Sequence, residues 1–338
     1  MLNTAQRLEY TARQSARVAW YMGHYLATQR FREADPSVRV KGGVGLERML
    51  EDMGALFLRD LDNAARGYYP LPRDHDGRVL KTSRAFFADL PVSAERKARG
   101  DGAEVFSHEK AESYPEYFLQ NFHYQTGGYL TAESARLYDM QVEVLFSGTA
   151  NAMRRQCLVP IAKALHGRDQ RRAALLDVAC GTGRFTRFVK EAFPRLAVSA
   201  SDLSEAYVAE AERHLRPYRA EFKTGAAEAL PYADQSFDFV TCLYLFHEIP
   251  PHVRPLVVRE FSRVLKPGGT LVFMDSLQRG DAPHLDSALE TFPAHFHEPY
   301  YPSYLAENLG ELFAAAGLET VSSEPVFLSK LLTAKKIS

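Results

Sequence analysis

The residues of this chain with types and spacing suited to chemistry begin at Asp177-Val-Ala-Cys-Gly-Thr-Gly-Arg-Phe-Thr186. Gly181 and Gly183 let the backbone turn sharply and approach a ligand closely. Nineteen residues past Gly183, Asp202 ends a second apolar run. An acidic side chain there suits a ribose diol. Two glycines alone are weak evidence. Placed between a strand and a helix, with an acid at the next strand's end, they point to a nucleoside on a doubly wound sheet. A dinucleotide needs a third glycine, and that position holds Thr186. A nucleoside with an amino-acid end needs acceptors for an ammonium instead. Asp177 leads the loop, where its carboxylate can take that role directly or through water.

The elements that must hold this loop are legible from about residue 173. Apolar runs at 173–178, 196–200, 219–224, 237–245 and 270–275 read as strands. Helical spacing fills the segments at 184–193 and 204–215, and Val253, Leu256, Val257, Phe261, Val264 and Leu265 make a third helix face, closed by Lys266-Pro-Gly-Gly269. Alternating strands and helices mean a parallel sheet covered on both faces. A loop over 292–304, a helix ending at Ala316-Gly317 and two strand-like runs close the chain. Before residue 165 the pattern is mainly helical. Val18, Tyr21, Met22, Tyr25 and Leu26 share one helix face, and Leu46, Met49, Leu50, Met53 and Phe57 share another, with Gly42, Gly43 and Gly45 between them. The stretch from Gly67 to Gly77 is rich in turn residues, and 93–102 reads as an exposed loop. The expected organisation is a helical cap or dimerisation domain over 1–165 and a ligand-binding domain over 166–338.

Composition narrows the function classes. The 338 residues are 46% hydrophobic and 25% charged, with a formal net charge of −1. That is globular, and it argues against a nucleic-acid or membrane-surface partner. No apolar stretch approaches the ~20 residues of a membrane span, and the first residues have no leader-like apolar core. Three cysteines, Cys157, Cys180 and Cys242, form no CxxC spacing. A reducing cytoplasm is the expected setting.

Over about 173–277 the sequence resembles a class I S-adenosylmethionine (SAM)-dependent methyltransferase, closest in style to the quinone-biosynthesis C-methyltransferases. Leu175-Leu-Asp-Val-Ala-Cys-Gly-Thr-Gly183 matches the first motif, with Ala179 where a glycine is common. Val198-Ser-Ala-Ser-Asp-Leu-Ser204 matches the second, Thr224-Gly-Ala-Ala-Glu-Ala-Leu-Pro the third, and Arg263-Val-Leu-Lys-Pro-Gly-Gly-Thr-Leu271 the run into the fifth strand. The resemblance implies a Rossmann-like α/β fold with a seven-stranded, mostly parallel sheet, and SAM as cofactor. It implies contacts from Asp177, Ala179, Gly181, Gly183, Asp202, Leu203, Ala226, Ala227, Glu228 and Leu243. Ala226 departs from the usual Asp or Asn that accepts from adenine; the Ala227 N–H and Glu228 remain as partners.

The acceptor belongs beyond the strand ends. The fourth strand runs into Cys242-Leu-Tyr-Leu-Phe-His-Glu-Ile-Pro250, placing Tyr244, His247 and Glu248 near the transferring methyl. His247 is the best-placed base or acceptor-orienting group, with Glu248 as orienter or alternate. His123, Tyr124, Gln125 and Tyr138 are expected in a lid, and His295, His297, Tyr300, Tyr301 and Tyr304 in a pocket wall. A His-x-His pair with Glu298, joined by His247 or His123, has metal-compatible ligand types. The spacing is not diagnostic and the reaction needs no metal, so none is expected. The favoured function is methyl transfer to a small molecule by a soluble enzyme, with a homodimer through the N-terminal domain as an expected assembly. An NAD-dependent oxidoreductase, or a SAM-binding protein without transfer activity, is the alternative.

Overall fold

The computed structural model describes residues 2–29, 45–74 and 79–337, apart from the side chains of 294 and 295. Gly42 and Gly43, and the end of the 67–77 turn, lie outside the described residues. The chain opens with α1 (Thr4–Thr28), α2 (Leu46–Ala65) and α3 (Val79–Arg99). Short 3-10 turns lead to α4 (Ala132–Leu145), α5 (Ala150–Gln156) and α6 (Leu158–Leu165). Then β1 (Ala174–Val178), α7 (Arg184–Ala192), β2 (Ala197–Asp202), α8 (Glu205–His214), β3 (Glu221–Thr224), β4 (Phe237–Leu243), α9 (Arg254–Val264) and β5 (Leu265–Ser276) alternate as expected. The last elements are α10 (Asp286–His295), α11 (Tyr301–Leu305), α12 (Leu309–Ala314), β6 (Leu318–Val326) and β7 (Ser329–Lys336). No described helix is long and apolar enough to cross a membrane.

The seven strands form one sheet in the order β3-β2-β1-β4-β5-β7-β6. The first five are parallel, and β7 is antiparallel to both β5 and β6. Strand order reverses between β1 and β4, so a cleft opens beyond their C-terminal ends. Alternation along the strands feeds two cores. Leu175, Phe239, Val272 and Met274 face one, where they meet Leu56, Tyr69, Met153, Cys157 and Ile161. Leu176, Val240 and Phe273 face the other, against Val257, Phe261 and Phe313. The N-terminal helices therefore share a core with the sheet across the 165/166 division.

Three local expectations change. Residues 93–99 continue α3 instead of forming a loop. Ala, Glu, Lys and Arg favour helix, and buried Arg96 anchors the end by bonding Tyr124 O at 3.0 Å and pairing with Glu104 at 2.7 Å. The 292–304 stretch is mostly the end of α10 and α11, because Pro302 sits in the first turn of α11, where its missing N–H costs nothing. Leu26, Leu46 and Leu50 are exposed; the buried face of α1 is instead Tyr10, Gln14, Tyr21 and His24.

That polar face leads to a buried ionic knot. Arg155 gives Nη2 to Asp60 at 2.7 Å and Nη1 to Asp74 at 2.8 Å. Tyr10 and Tyr69 donate to Asp60 at 2.6 and 2.8 Å, and Gln14 donates to Asp74 at 3.0 Å. Burial works against the Asp74 carboxylate, but Arg155 and Arg17 hold it well below the usual range. A second pair ties α4 to the start of α7. Asp139 accepts from Arg184 at 2.7 Å and from Thr182 at 2.9 Å. Despite burial, Arg184 and Arg154 bring Asp139 down to about 2.

Arg155→Leu strands two buried carboxylates and should cost about 3–5 kcal/mol, read by urea unfolding; a loss below ~1 kcal/mol would mean that water reaches both acids. Asp139 is depressed in the folded state, so its contribution is present above the unfolded value of ~3.9. It should disappear as pH falls from about 4 to about 2. Asp139→Asn should flatten the stability profile in that window alone.

Candidate active site

β1 is released from the sheet by a run of left-handed backbone: φ is +54° at Ala179, +55° at Gly181 and +76° at Gly183. The glycines serve different ends. A Cβ at Gly181 would meet nothing within 4 Å, so this position faces open space. A Cβ at Gly183 would lie 2.6 Å from Leu215 and 3.1 Å from Ala211, so this glycine lets α7 start against α8. Asp202 latches the loop. Its Oδ2 accepts from Gly181 N at 2.8 Å and its Oδ1 from Ser204 N at 2.9 Å. Burial raises the Asp202 pKa, opposed by these N–H donors. Asp177 lies beneath the loop, where its carboxylate accepts from Thr186 at 2.5 Å and Thr241 at 2.8 Å. Burial brings it up to about 6 against those two hydroxyls. Thr186, at the third-glycine position, is thus committed to the core.

A cleft opens above the loop. Its floor includes Ala179, Gly181, Asp202, Leu203, Gly225, Ala227, Glu228 and Leu243. Asp177, Gly183 and Ala226 are outside this lining; the Asp177 carboxylate expected to meet an ammonium is spent on Thr186 and Thr241 beneath the loop. Its roof is aromatic and comes from the N-terminal half: Tyr117, Phe118, Phe122, Tyr129 and Tyr138. Ser204 Oγ donates to Tyr129 O at 2.5 Å, and Gln125 bonds Tyr207 at 2.8 Å, fastening the roof to α8. Tyr117 donates to Glu228 at 2.5 Å. A flat floor with open backbone, a carboxylate at one edge and aromatic walls fits adenosine with a sulfonium, since aromatic faces attract cations.

A second, larger cavity adjoins the cleft. Tyr138, Tyr244 and Glu248 line both. Its other walls are largely apolar, with Tyr25, Met49, Val142, Leu285, Phe292, Phe296 and Leu328, and its polar members are His123, Arg154, His247 and Ser276. Tyr244 has φ +60° and bonds Ser329 at 2.8 Å, and the Arg154 guanidinium lies 5.7 Å above its ring. Asp275, at the end of β5, accepts from Phe246 N at 2.7 Å and holds His247 Nδ1 at 2.5 Å. His247 Nε2 then faces Glu248, 3.8 Å away. Burial would lower the His247 pKa, but Asp275, then Glu248 and Glu298, take it to about 10. Burial and the Glu298 charge push Glu248 up to about 7, against His247, Tyr129 and His123. Tyr129 donates to Glu248 at 2.6 Å. His123 pairs with Glu298 at 2.9 Å, which raises its pKa despite burial.

The expected residues separate into groups. His123, Tyr138, Tyr244, His247, Glu248 and Tyr301 meet at the acceptor cavity. Tyr124 and Gln125 line an adjoining groove against α3 and α4, which also reaches His123. Tyr304 is fully buried and donates to Ser276 O at 2.6 Å. Tyr300 offers its carbonyl to Arg254 at 3.1 Å, and His297 Nε2 sits 2.7 Å from Gln120. These last three are outside the cavity linings, and the side chain of His295 lies outside the described ones. Sequence reading missed Asp275, Arg154, Tyr117 and Tyr129 as site residues. Asp275 carried a usable signal, an acid ending a strand directly after an apolar run, as at Asp202.

Comparison with known proteins agrees with the loop and cleft. Residues 175–269 match the family model for a methyltransferase domain. A demethylmenaquinone methyltransferase of Deinococcus radiodurans is 35% identical over 146 residues, covering 43% of this chain and 57% of that protein. The ubiquinone/menaquinone biosynthesis C-methyltransferase UbiE of Desulfotalea psychrophila is 32% identical over 139 residues, covering 41% and 53%. The chain thus spans little more than half the length of these relatives. Among solved structures, a SAM-dependent methyltransferase of Aquifex aeolicus aligns over 53% of this chain and 88% of its own, at 19% identity and a TM-score of 0.39. The glycine turn and the acid closing β2 thus lie within residues 175–269, the stretch that matches a methyltransferase domain.

Proposed function

We propose that this chain transfers a methyl group from SAM to a small, largely apolar acceptor held in the second cavity. The observation that carries this reading is the shared wall: Tyr138, Tyr244 and Glu248 border both the nucleoside cleft and the acceptor cavity. When bound, SAM supplies an electrophilic methyl on a cationic sulfur. The chain's task is then to hold an acceptor atom in line and to keep water out. Apolar walls from α10 and the N-terminal helices serve the second purpose. Asp275 fixes the His247 ring through Nδ1, leaving Nε2 as the atom that meets the acceptor. A ring held in its charged form has a proton on both nitrogens. That favours orienting the acceptor over general-base action, of the two roles open to His247.

The two relatives are named for demethylmenaquinone and for ubiquinone/menaquinone biosynthesis, and an apolar aromatic acceptor of that general kind suits the walls of this cavity. A dinucleotide cofactor is disfavoured by Thr186, whose hydroxyl is spent on Asp177. Free thiols at Cys157, Cys180 and Cys242 agree with a reducing compartment such as the cytoplasm.

Two measurements test this reading. Asp202→Ala should weaken both SAM and S-adenosylhomocysteine by roughly 10- to 100-fold in calorimetry, the value of one hydrogen bond to a charged group. Unchanged affinity for both would remove Asp202 from the ribose role. His247→Ala should lower kcat on a quinol-type acceptor by about 100-fold or more while SAM affinity stays within about twofold. An equal loss in SAM affinity would make His247 a packing residue, and SAM binding without turnover on any apolar acceptor would favour a binding protein.

A further inference from the structure

Beside the acceptor cavity, three chain segments distant in sequence bring metal-compatible side chains together. His123 comes from the turn Phe122–Tyr124, Glu248 from the turn Phe246–Glu248 after β4, and Glu298 from the segment between α10 and α11. One ligand atom from each lies within 4.8 Å of the other two. His123 Nε2 is 2.9 Å from Glu298 Oε1.

Glu298 is the sign that this cluster has room for a further partner besides His123. It is 3% exposed, and among the described residues neither carboxylate oxygen has a hydrogen-bond partner. His123 Nε2 stands across from Oε1 at 2.9 Å as an ion-pair partner, and Oε2 has no donor among the described residues. A buried carboxylate in this condition is costly, and proteins normally satisfy such groups or place a cation against them. The neighbourhood adds to the demand. Glu248 and Asp275 are also buried or half-buried here, so three carboxylates share this region with the imidazoles of His123 and His247, the Arg154 guanidinium lying on the same cavity.

We propose that His123, Glu248 and Glu298 form a binding site for one divalent first-row transition ion such as Zn²⁺ or Mn²⁺. One imidazole nitrogen with two carboxylate groups is a borderline-to-hard donor set, suited to these ions and not to thiolate-seeking ones. The expectation of a metal-free site drawn from sequence is thereby revised, and so is its candidate ligand set. His297 is turned to Gln120, and the ligands come from segments some 125 and 50 residues apart. Because His123 and Glu248 line the acceptor cavity, an ion there stands at its polar end. Its role there, which rests on the methyl-transfer reading, is to hold an oxygen of the acceptor and ease its loss of a proton. Binding of the ion itself does not depend on that reading.

The test uses the full chain, freed of any tag and treated with chelator. Zn²⁺ is titrated by calorimetry and Co²⁺ by visible absorbance. The expected result is one equivalent bound at micromolar Kd or tighter, with a Co²⁺ ligand-field band. Glu298→Gln and His123→Ala should each weaken it at least tenfold and remove the band. Thermal melts and SAM titrations run alongside show that the variants are folded. No stoichiometric binding by the unmodified chain, or binding equally tight in both folded variants, overturns the site. Absent metal binding with SAM affinity intact would sink this inference and leave the methyl-transfer reading standing. The reverse pattern would sink that reading and leave the ion.

Discussion

Three aspartates close three parallel strands, and each must be buried without being left unpaired. Asp177 ends β1's apolar run, Asp202 ends β2, and Asp275 lies one residue before the end of β5. A carboxylate in such a place is costly unless donors surround it. The fold supplies a different set to each. Asp177 takes two threonine hydroxyls, Asp202 takes backbone N–H groups of the loop it latches, and Asp275 takes the Phe246 N–H and an imidazole. The loop, the ribose edge and the His247 ring are placed by those three solutions. The left-handed backbone at 179–183 is what lets Gly181 N reach Asp202.

The N-terminal half completes the site from above. Its aromatic roof is fastened to α8 by Ser204 and Gln125, and α4 is held to the start of α7 by Asp139. Tyr129 takes part in both halves of the site: its carbonyl accepts from Ser204 and its hydroxyl donates to Glu248. A disturbance of the roof would therefore reach the polar end of the acceptor cavity through one side chain. The buried Arg155 knot gives the roof's supporting helices a fixed arrangement, because one guanidinium serves acids from α2 and from the segment that follows it. Its contribution is to orientation, since one guanidinium bonded to both acids at once fits one packing.

The sequence displayed what depends on neighbours a few residues apart. Strand runs, the glycine turn and Asp202 follow from local periodicity and spacing and stand close to where expected, except that β5 begins at Leu265, taking in the Lys266-Pro-Gly-Gly269 stretch read as the helix's close. Features set by contacts over long separations were opaque. Nothing near Glu298 in sequence says that it will meet His123, and nothing near Tyr129 announces Glu248. The His-x-His pattern drew attention to 295 and 297, whereas the pairing of His297 with Gln120 leaves the adjacent glutamate as the residue of chemical interest. Residues 93–99 misled because small and charged residues suit an exposed loop and a solvated helix equally well. Only burial of Arg96 distinguishes the two.

The division between inherited and private parts of the site has a consequence for specificity. The floor of the nucleoside cleft, from Ala179 to Leu243, lies within the 175–269 match. Of the second cavity's walls, only Tyr244, His247 and Glu248 do; the rest come from α1, α2, the turn at His123, α4, α5, α10 with the turn before it, α11 and the segments around Ser276 and Leu328. The match therefore bears on the floor of the cleft, while most of the second cavity's surface is built by chain outside it. Arg154 sharpens the point. A buried guanidinium 5.7 Å over the Tyr244 ring adds a fixed positive charge to that cavity, beside His123, His247 and Glu248. Two proteins with the same SAM-binding loop but without that arginine would present their acceptors with a different field, however similar their sheets.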